Sequence, residues 1–267
     1  MKKLTEITAS NRDAWDASAA AFEDRAEWHD MIRSLKEGGF STFDQTMTQT
    51  LQDIGIAGRR AVQIGCNNGR ELLSLPSLGA IPVLGIDVSE AFLAQARTLA
   101  DLAGSECQFL CSDIYDLPDD MPGDFELGLI TIGVLNWMPD LVRFFEIVAG
   151  LLSANASLVI YESHPVMEMF DPDAKDPFNP FRSYFDKTPM TWSETITYDG
   201  TPGKPGPTSY WFTHGLGEIV TACSKAGLVI ERLSEYAHSN REVDYDIYEG
   251  RTAQIPMSFT LVARKSP

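Results

Sequence analysis

The feature that most constrains the fold is a series of short apolar runs that alternate with helix-like segments from about residue 60 to residue 163. The first run stops at Gly65, the second at Asp87 and the third near Asp113. Strands that alternate with helices predict βαβ units and a parallel sheet, and near-continuous apolar strands are typical of a sheet covered on both faces. The five predicted strands occupy residues 61–64, 82–86, 108–111, 125–132 and 157–161.

Helices are predicted between these strands, and a last group of elements follows them. Ser89 is a good N-cap for a helix over residues 90–103, and residues 141–152 have an amphipathic pattern. A shorter helix is predicted at 70–75. Near the end of the sequence, the patterns predict a helix at 215–226 and strands at 228–236 and 257–264.

Composition divides the 267 residues into four parts. Residues 1–58 are predicted to form an N-terminal helical cap, and residues 59–163 the Rossmann-like core. Residues 164–212 are predicted to form a lid insertion, because residues 163–212 hold eight of the 15 prolines and ten aromatic residues. Such a segment is too long and too aromatic for a plain linker. Residues 213–267 are predicted to complete the core.

The charge balance argues against several classes of partner. The chain has 38 acidic and 21 basic residues, a net charge of −17, and such a surface repels phosphate backbones and anionic lipid. No run of about 18 or more apolar residues predicts a membrane span. The first residues are polar and do not resemble a secretory signal. The four cysteines form no CxxC pair, so we expect reduced thiols and a cytoplasmic location.

A turn between the first strand and the next helix has the composition of a ligand-binding loop. It reads Gln63-Ile64-Gly65-Cys66-Asn67-Asn68-Gly69. Glycine, and to a lesser degree asparagine, accepts the left-handed backbone that lets N–H groups approach a ligand. Glycines in such turns are also common without a ligand.

Two acidic residues at the ends of the next strands support a ligand there. Asp87 lies 22 residues after Gly65, close to the spacing at which an acid holds a ribose diol. Asp113 ends the third strand, where it can accept from an adenine amino group while Ile114 packs on the ring. Carboxyl ends of successive strands meet in one crevice, so the set predicts an adenosine-containing cofactor. NAD and S-adenosylmethionine (SAM) both fit, although Asn67 stands where GxGxxG needs its second glycine.

The motifs together resemble those of class I SAM-dependent methyltransferases. Residues 62–69 are similar to that family's first motif, and residues 133–140, GVLNWMPD, to its motif after the fourth strand. Residues 162–165 and 211–220 resemble a bacterial small-molecule methyltransferase group. The resemblance implies a seven-stranded, mostly parallel α/β sheet with helices on both faces and an antiparallel last strand. It also implies SAM as cofactor, bound by Gln63, Gly65, Cys66, Asn67, Asn68, Gly69, Asp87, Val88, Ser89, Asp113, Ile114, Ile132 and Gly133.

One position departs from the family pattern. Gln63 stands where the family usually has Asp or Glu, an acid that helps to hold the ammonium group of the cofactor. Glutamine keeps an acceptor oxygen but loses the charge. The departure favours one alternative to a methyltransferase, a SAM-binding regulatory protein without catalysis. A second alternative, a nicotinamide-dependent oxidoreductase, remains because NAD fits the same loop and acidic residues.

The acceptor side is predicted from aromatic residues and histidines. Ten aromatic residues crowd into residues 163–212, and sites for small molecules are lined mainly by apolar and aromatic side chains. We therefore expect a small-molecule acceptor. His164 and His214 are candidate general bases, since histidine is well placed to take a proton near neutral pH, although each can equally serve a structural role. No metal site is predicted, and we expect a monomer or a homodimer. The candidate substrate-binding residues are Trp15, Phe22, Trp137, Tyr184 and Trp211.

Overall fold

The computed structural model describes residues 3–23, 25–197, 201, 203–241 and 243–267. Its main sheet has seven strands in the order β3-β2-β1-β4-β5-β9-β8. The five strands from β3 to β5 are parallel to their neighbours, whereas β9 is antiparallel to both β5 and β8. The sheet strands are β1 (Arg60–Ile64), β2 (Ile81–Asp87), β3 (Gln108–Cys111), β4 (Phe125–Thr131), β5 (Leu152–Ser163), β8 (Leu228–Tyr236) and β9 (Ser258–Lys265).

This architecture confirms the predicted fold class. The strand order reverses between β1 and β4, which leaves a crevice at their carboxyl ends, where open α/β sheets bind ligands. The six helices of the described residues are α1 (Leu4–Glu23), α2 (Ala26–Glu37), α3 (Gln45–Ile54), α4 (Glu90–Ala103), α5 (Leu141–Leu151) and α6 (Leu216–Lys225). None of them is long and apolar enough to cross a bilayer.

Apolar side chains alternate between the two faces of the sheet. In β5, Leu158 and Ile160 pack in the cluster that contains Phe144 of α5, whereas Val159 and Tyr161 pack in the cluster that contains Leu51 of α3. All six are at most 1% exposed. A strand whose neighbouring residues are both buried must be covered on both faces, as the apolar runs predicted.

Two local predictions were wrong. The segment predicted as a helix at 70–75 is a 3₁₀ helix at Leu72–Leu78, and it contains Pro76, which cannot donate a backbone hydrogen bond. The fifth strand is longer than predicted and begins at Leu152, directly after α5. Its first residues are polar or small, so the hydrophobic pattern does not reveal them.

The segment after β5 contains its own small sheet. Strands β6 (Met190–Glu194) and β7 (Pro205–Trp211) form an antiparallel pair outside the main sheet. Helix α1 packs on β7 through side chains that bond to its backbone. Asn11 donates to Tyr210 O at 3.1 Å and accepts from Tyr210 N at 2.7 Å, and Ser10 Oγ donates to Thr208 O at 2.5 Å. The beginning of the chain is thereby tied to a strand about 200 residues away.

Candidate cofactor site

A cavity of about 500 Å³ lies at the carboxyl ends of the first four strands. One wall is made by the loops that follow β1, β2, β3 and β4, which we call the cofactor loops (residues 65–71, 87–89, 112–114 and 131–138). The other wall comes from α1, α2 and residues 40–42, with residues 240, 241 and 243 at one end. The topology therefore brings the loops with the predicted motif residues to one place.

The loop after β1 adopts the left-handed backbone that its composition predicted. Gly65, Asn67 and Gly69 have φ angles of 64°, 50° and 74°. A Cβ atom on Gly65 would lie 2.7 Å from Val134 Cγ2, and one on Gly69 would lie 2.9 Å from Phe109 Cε1. Both positions therefore need glycine for space as well as for conformation.

Asp87 stands at the centre of the loop after β2. Its Oδ2 accepts from Asn67 N at 2.7 Å and its Oδ1 accepts from Ser89 N at 2.9 Å. Burial raises the pKa of Asp87, against the lowering effect of these backbone donors. The carboxylate thus connects the first two cofactor loops and lines the cavity, as a ribose-binding acid should.

The loops after β3 and β4 complete this wall. Asp113 and Ile114 both line the cavity, and Asp113 also caps a short 3₁₀ turn by accepting from Tyr115 N at 3.0 Å. After β4, Ile132 has a φ angle of 41°, which is strained for a β-branched residue. The buried carboxylate of Glu162 accepts from Gly133 N and from Leu135 N, which fixes this strained turn.

Two buried amide oxygens near the first loop have no hydrogen-bond partner. Gln63 is 1% exposed, and its Nε2 donates to Thr131 Oγ1 at 2.9 Å while its Oε1 has no partner. Asn68 lines the cavity, is 3% exposed, and its Oδ1 is also without a partner. Buried acceptors without donors are costly, so these two oxygens fit a ligand that brings a donor, such as an ammonium group.

Sequence comparison agrees with this geometry. Residues 61–155 match the model of a family described as "Methyltransferase domain". Residues 61–155 are therefore assigned to a methyltransferase domain. This match favours S-adenosylmethionine over a nicotinamide as the cofactor of the domain.

The relatives of the methyltransferase domain are distant. Ribosomal protein L11 methyltransferase of Escherichia coli (strain 55989 / EAEC) is 25% identical over 130 residues, which are 48% of this chain and 44% of that protein. The match thus spans less than half of that relative. A putative S-adenosylmethionine-dependent methyltransferase from Listeria monocytogenes has a TM-score of 0.60 at 18% identity, covering 82% of this chain and 97% of that one. One from Mesorhizobium loti has a TM-score of 0.61 at 22% identity, covering 87% and 100%.

The residues of the methyltransferase domain fit SAM. Asp87 would hold the ribose hydroxyls, Asp113 with Ile114 the adenine, and the oxygens of Gln63 and Asn68 the ammonium group. Most of the predicted cofactor residues line the cavity, whereas Gln63, Gly69 and Ser89 lie behind the lining. Ser89 is 0% exposed and acts as the N-cap of α4. Gly69 acts through its backbone conformation.

On the acceptor side, the structure brings three of five predicted residues to the cavity. Trp15, Phe22 and Trp137 line it. Trp211 packs edge-on against Trp137 at a centroid distance of 5.1 Å and therefore lies one layer further out. Tyr184 does not line the cavity, because its hydroxyl accepts from Leu216 N at 2.9 Å, at the start of α6.

Neither predicted histidine lines the cavity. His164 Nδ1 accepts from Val166 N at 3.1 Å, and its Nε2 lies 2.9 Å from Glu235 Oε1. His214 Nε2 lies 2.7 Å from Met138 O. Burial lowers the pKa of both imidazoles, and nearby acceptors oppose that effect. These contacts are structural and both rings lie outside the cavity lining, and a catalytic role for either histidine stays a prediction.

The prediction from sequence missed several cavity residues. Arg70 follows the first motif directly and could have been included with it. Glu71, Asn240 and Arg241 have no motif to mark them, and only the tertiary structure brings them to the cavity. Among the described residues, no group of three His, Cys, Asp or Glu side chains is placed to hold a metal ion.

Proposed function

We propose that the protein transfers a methyl group from SAM to an O, N or S atom of a small molecule with an apolar or aromatic part. The observation that carries the proposal is the aromatic part of the cavity lining, which includes Trp15 and Phe22 of α1 and Trp137 of the loop after β4. Trp15 and Trp137 meet edge-on with centroids 5.1 Å apart. A pocket closed by aromatic rings suits a compact apolar group better than a polymer.

Bound SAM supplies an electrophilic methyl group on a sulfonium. The residues of this chain would then orient the acceptor and exclude water. Alignment is a large part of the rate enhancement when both reactants are held at contact distance. Glu162 fixes the turn from Ile132 to Leu135, and this turn places Trp137 beside the other three cofactor loops. The Trp137 ring can therefore define the direction from which the acceptor approaches, because no mobile loop separates the ring from the bound cofactor.

The fixed position of α1 supports the exclusion of water. Asp16 Oδ1 accepts from Ser89 Oγ at 2.6 Å and from Ala91 N at 3.2 Å, at the start of α4. Gln95 Nε2 donates to Ala19 O at 2.8 Å. With the bonds from Asn11 to β7, these contacts hold α1 over the cavity from both sides. We infer that residues 164–212 support this cover as a lid, with α1 as its inner layer.

The test is a screen of candidate acceptors in which release of S-adenosylhomocysteine (SAH) is measured. We expect turnover with small aromatic or apolar molecules that carry a hydroxyl, amine or thiol. Ribosomal protein L11, nucleic acids and mixed proteins form the contrasting panel, the first because a distant relative is an L11 methyltransferase. Turnover on that panel and on no small molecule would contradict the proposal.

The alternative is a regulatory protein that binds SAM without transferring its methyl group. Gln63 favours it, because an amide holds the ammonium group less strongly than a carboxylate does. Tight SAM binding with no turnover in the screen would support this alternative. The four cysteines are free, which supports a reducing, cytoplasmic location for either function.

A further inference from the structure

One end of the cavity holds a cluster of charged groups that the cofactor motifs do not use. Glu71 Oε1 lies 2.9 Å from Arg70 Nε and 3.0 Å from Arg241 NH2, so two guanidinium groups share one carboxylate oxygen. The Glu71 side chain is 7% exposed, whereas those of Arg70 and Arg241 are 37% and 32% exposed. All three residues line the cavity. The acid is thus buried behind two partly exposed cations.

The cluster carries a net positive charge. Burial raises the pKa of Glu71, but the two arginines outweigh it and lower the pKa overall. Glu71 is therefore ionised, and with two permanently charged guanidinium groups the cluster has a charge of one. Among the described residues that line the cavity, only Arg70 and Arg241 are basic, in a chain whose net charge is −17.

The backbone holds Arg241 in an uncommon conformation. Its φ angle is 77°, and its NH1 donates to Thr42 O at 2.7 Å. A residue other than glycine in this region is strained, and the strain persists only where the surroundings impose it. The bonds to Thr42 and Glu71 use two of the five N–H donors of the guanidinium.

The preceding residue adds a second donor. Asn240 is 0% exposed and lines the cavity. Its Oδ1 accepts from Ser163 Oγ at 3.0 Å, and its Nδ2 is buried without a partner. A ligand that satisfies both the buried amide donor and the positive charge of the cluster must be a hydrogen-bond acceptor that carries a negative charge.

We propose that Arg241, Asn240 and Arg70 form a recognition site for a carboxylate group. A monoanion balances the single positive charge of the cluster. A phosphate dianion would leave an excess negative charge in a cavity that Glu27, Asp30 and Asp87 also line. The carboxylate can come from the amino-acid part of the cofactor or from the acceptor, and the second source rests on the proposed function.

The first arm of the test asks whether the cofactor supplies the carboxylate. SAH carries an amino-acid group, and 5′-methylthioadenosine has the same nucleoside and thioether without it. Calorimetry measures both ligands on the wild type, on Arg241→Met and on Arg251→Met, an exposed arginine that packs on Phe178. We expect Arg241→Met to lose about 10- to 100-fold in SAH affinity, with 5′-methylthioadenosine unchanged.

The second arm asks whether the acceptor supplies the carboxylate. Benzoate and the neutral benzamide are titrated into the SAH-saturated wild type and Arg241→Met. If the acceptor is the source, the wild type binds benzoate better than benzamide, and Arg241→Met removes that difference while its SAH affinity stays unchanged. Arg70→Met repeats both arms if Arg241→Met does not fold, as judged by circular dichroism.

The outcomes separate the two proposals. No change in SAH affinity together with no preference for benzoate overturns the carboxylate site. So does an equal loss for SAH and 5′-methylthioadenosine, because that loss would be structural. A wild type that binds neither nucleoside overturns the proposed function instead.

Discussion

The two walls of the cavity are built in opposite ways. The cofactor loops come from residues 65 to 138, and each loop follows a parallel strand of the same sheet. The opposite wall combines α1, α2 and the loop that contains Asn240 and Arg241, and α1 is tied to β7 rather than to the sheet. One wall depends on turn chemistry that is local in sequence. The other depends on contacts between segments about 200 residues apart.

This contrast suggests a division of labour. Backbone turns with left-handed residues accept few substitutions, which suits the constant shape of a cofactor. Side-chain contacts between distant segments can change singly, which suits an acceptor that differs between related proteins. Substitutions on the cofactor wall should therefore change cofactor affinity most, and those on the opposite wall should change stability or acceptor binding.

The largest effect is expected for Asp87→Ala. The change removes the acceptor for the ribose hydroxyls, which costs about 1–3 kcal/mol of binding free energy. It also leaves Asn67 N and Ser89 N without their partner. SAM affinity should fall about 5- to 150-fold. Calorimetry measures it, with Asp124→Ala, at an exposed ion pair with Arg60, as the control. Unchanged affinity in a folded Asp87→Ala protein would refute the assigned ribose site.

Asn11→Ala tests the opposite wall. It removes both hydrogen bonds between the Asn11 side chain and the backbone of Tyr210 at a part-buried contact, so the free energy of unfolding should fall by about 1–2 kcal/mol. Thermal unfolding should show a Tm lower by about 2–8 °C. Arg12→Ala, one residue along α1 and half-exposed, should leave Tm unchanged. Equal stability of the two variants would mean that the hydrogen bonds between Asn11 of α1 and Tyr210 of β7 do not stabilise the fold.

A smaller effect is expected for Gln63→Glu. The carboxylate would add a charge where the unpartnered Oε1 now lies, and Thr131 could donate to it, so SAM affinity should stay the same or rise by up to about tenfold. Dissociation constants at two salt concentrations measure the change. Gln95→Glu is the matched control, because Gln95 is also buried with an unpartnered Oε1 but lies on α4, where its Nε2 donates to Ala19 O of α1. A clear loss of affinity in Gln63→Glu alone would show a site specialised around the amide.

The smallest effect concerns His214, which follows β7 and whose Nε2 lies 2.7 Å from Met138 O in the cofactor wall. Burial lowers its pKa below the ordinary value of 6.5, so the unfolded chain binds the proton more readily. The contribution of the neutral, buried His214 ring to the free energy of unfolding is complete above about pH 6.5, and it is lost as the pH falls towards the pKa of the folded state. His214→Gln should flatten the slope of unfolding free energy between about pH 7 and pH 5.5 in urea titrations. If the exposed His29→Gln flattens it equally, burial of His214 is not the cause.

The cofactor wall was largely predictable because its signals are local. A glycine at a turn, an acid at a strand end and a regular spacing each leave a mark in the sequence, and Gly65, Asp87 and Asp113 were placed by these marks. The opposite wall leaves no such mark. Trp15 and Phe22 were predicted from aromatic character alone, and the same reasoning also selected Tyr184, which bonds to Leu216 N instead.

The same distinction explains the histidines and the arginines. His164 directly follows β5 and His214 comes shortly after β7, but sequence position does not reveal the direction of a side chain, and both rings make structural contacts. Arg241 reaches the cavity because its loop crosses from β8 to Thr42 and Glu71. No pattern of hydrophobic residues encodes that crossing.

The position of β9 has a consequence for the order in which the chain is made. β9 lies between β5 and β8 and pairs antiparallel with both, although it follows them in sequence. During synthesis, β5 therefore presents an open edge, and β8 has no partner in the sheet until residues 258–265 have emerged. Unpaired strand edges invite association between chains. The nascent protein is most exposed to aggregation during this interval. The interval ends when β9 inserts, because this single late strand pairs with β5 and β8 at the same time.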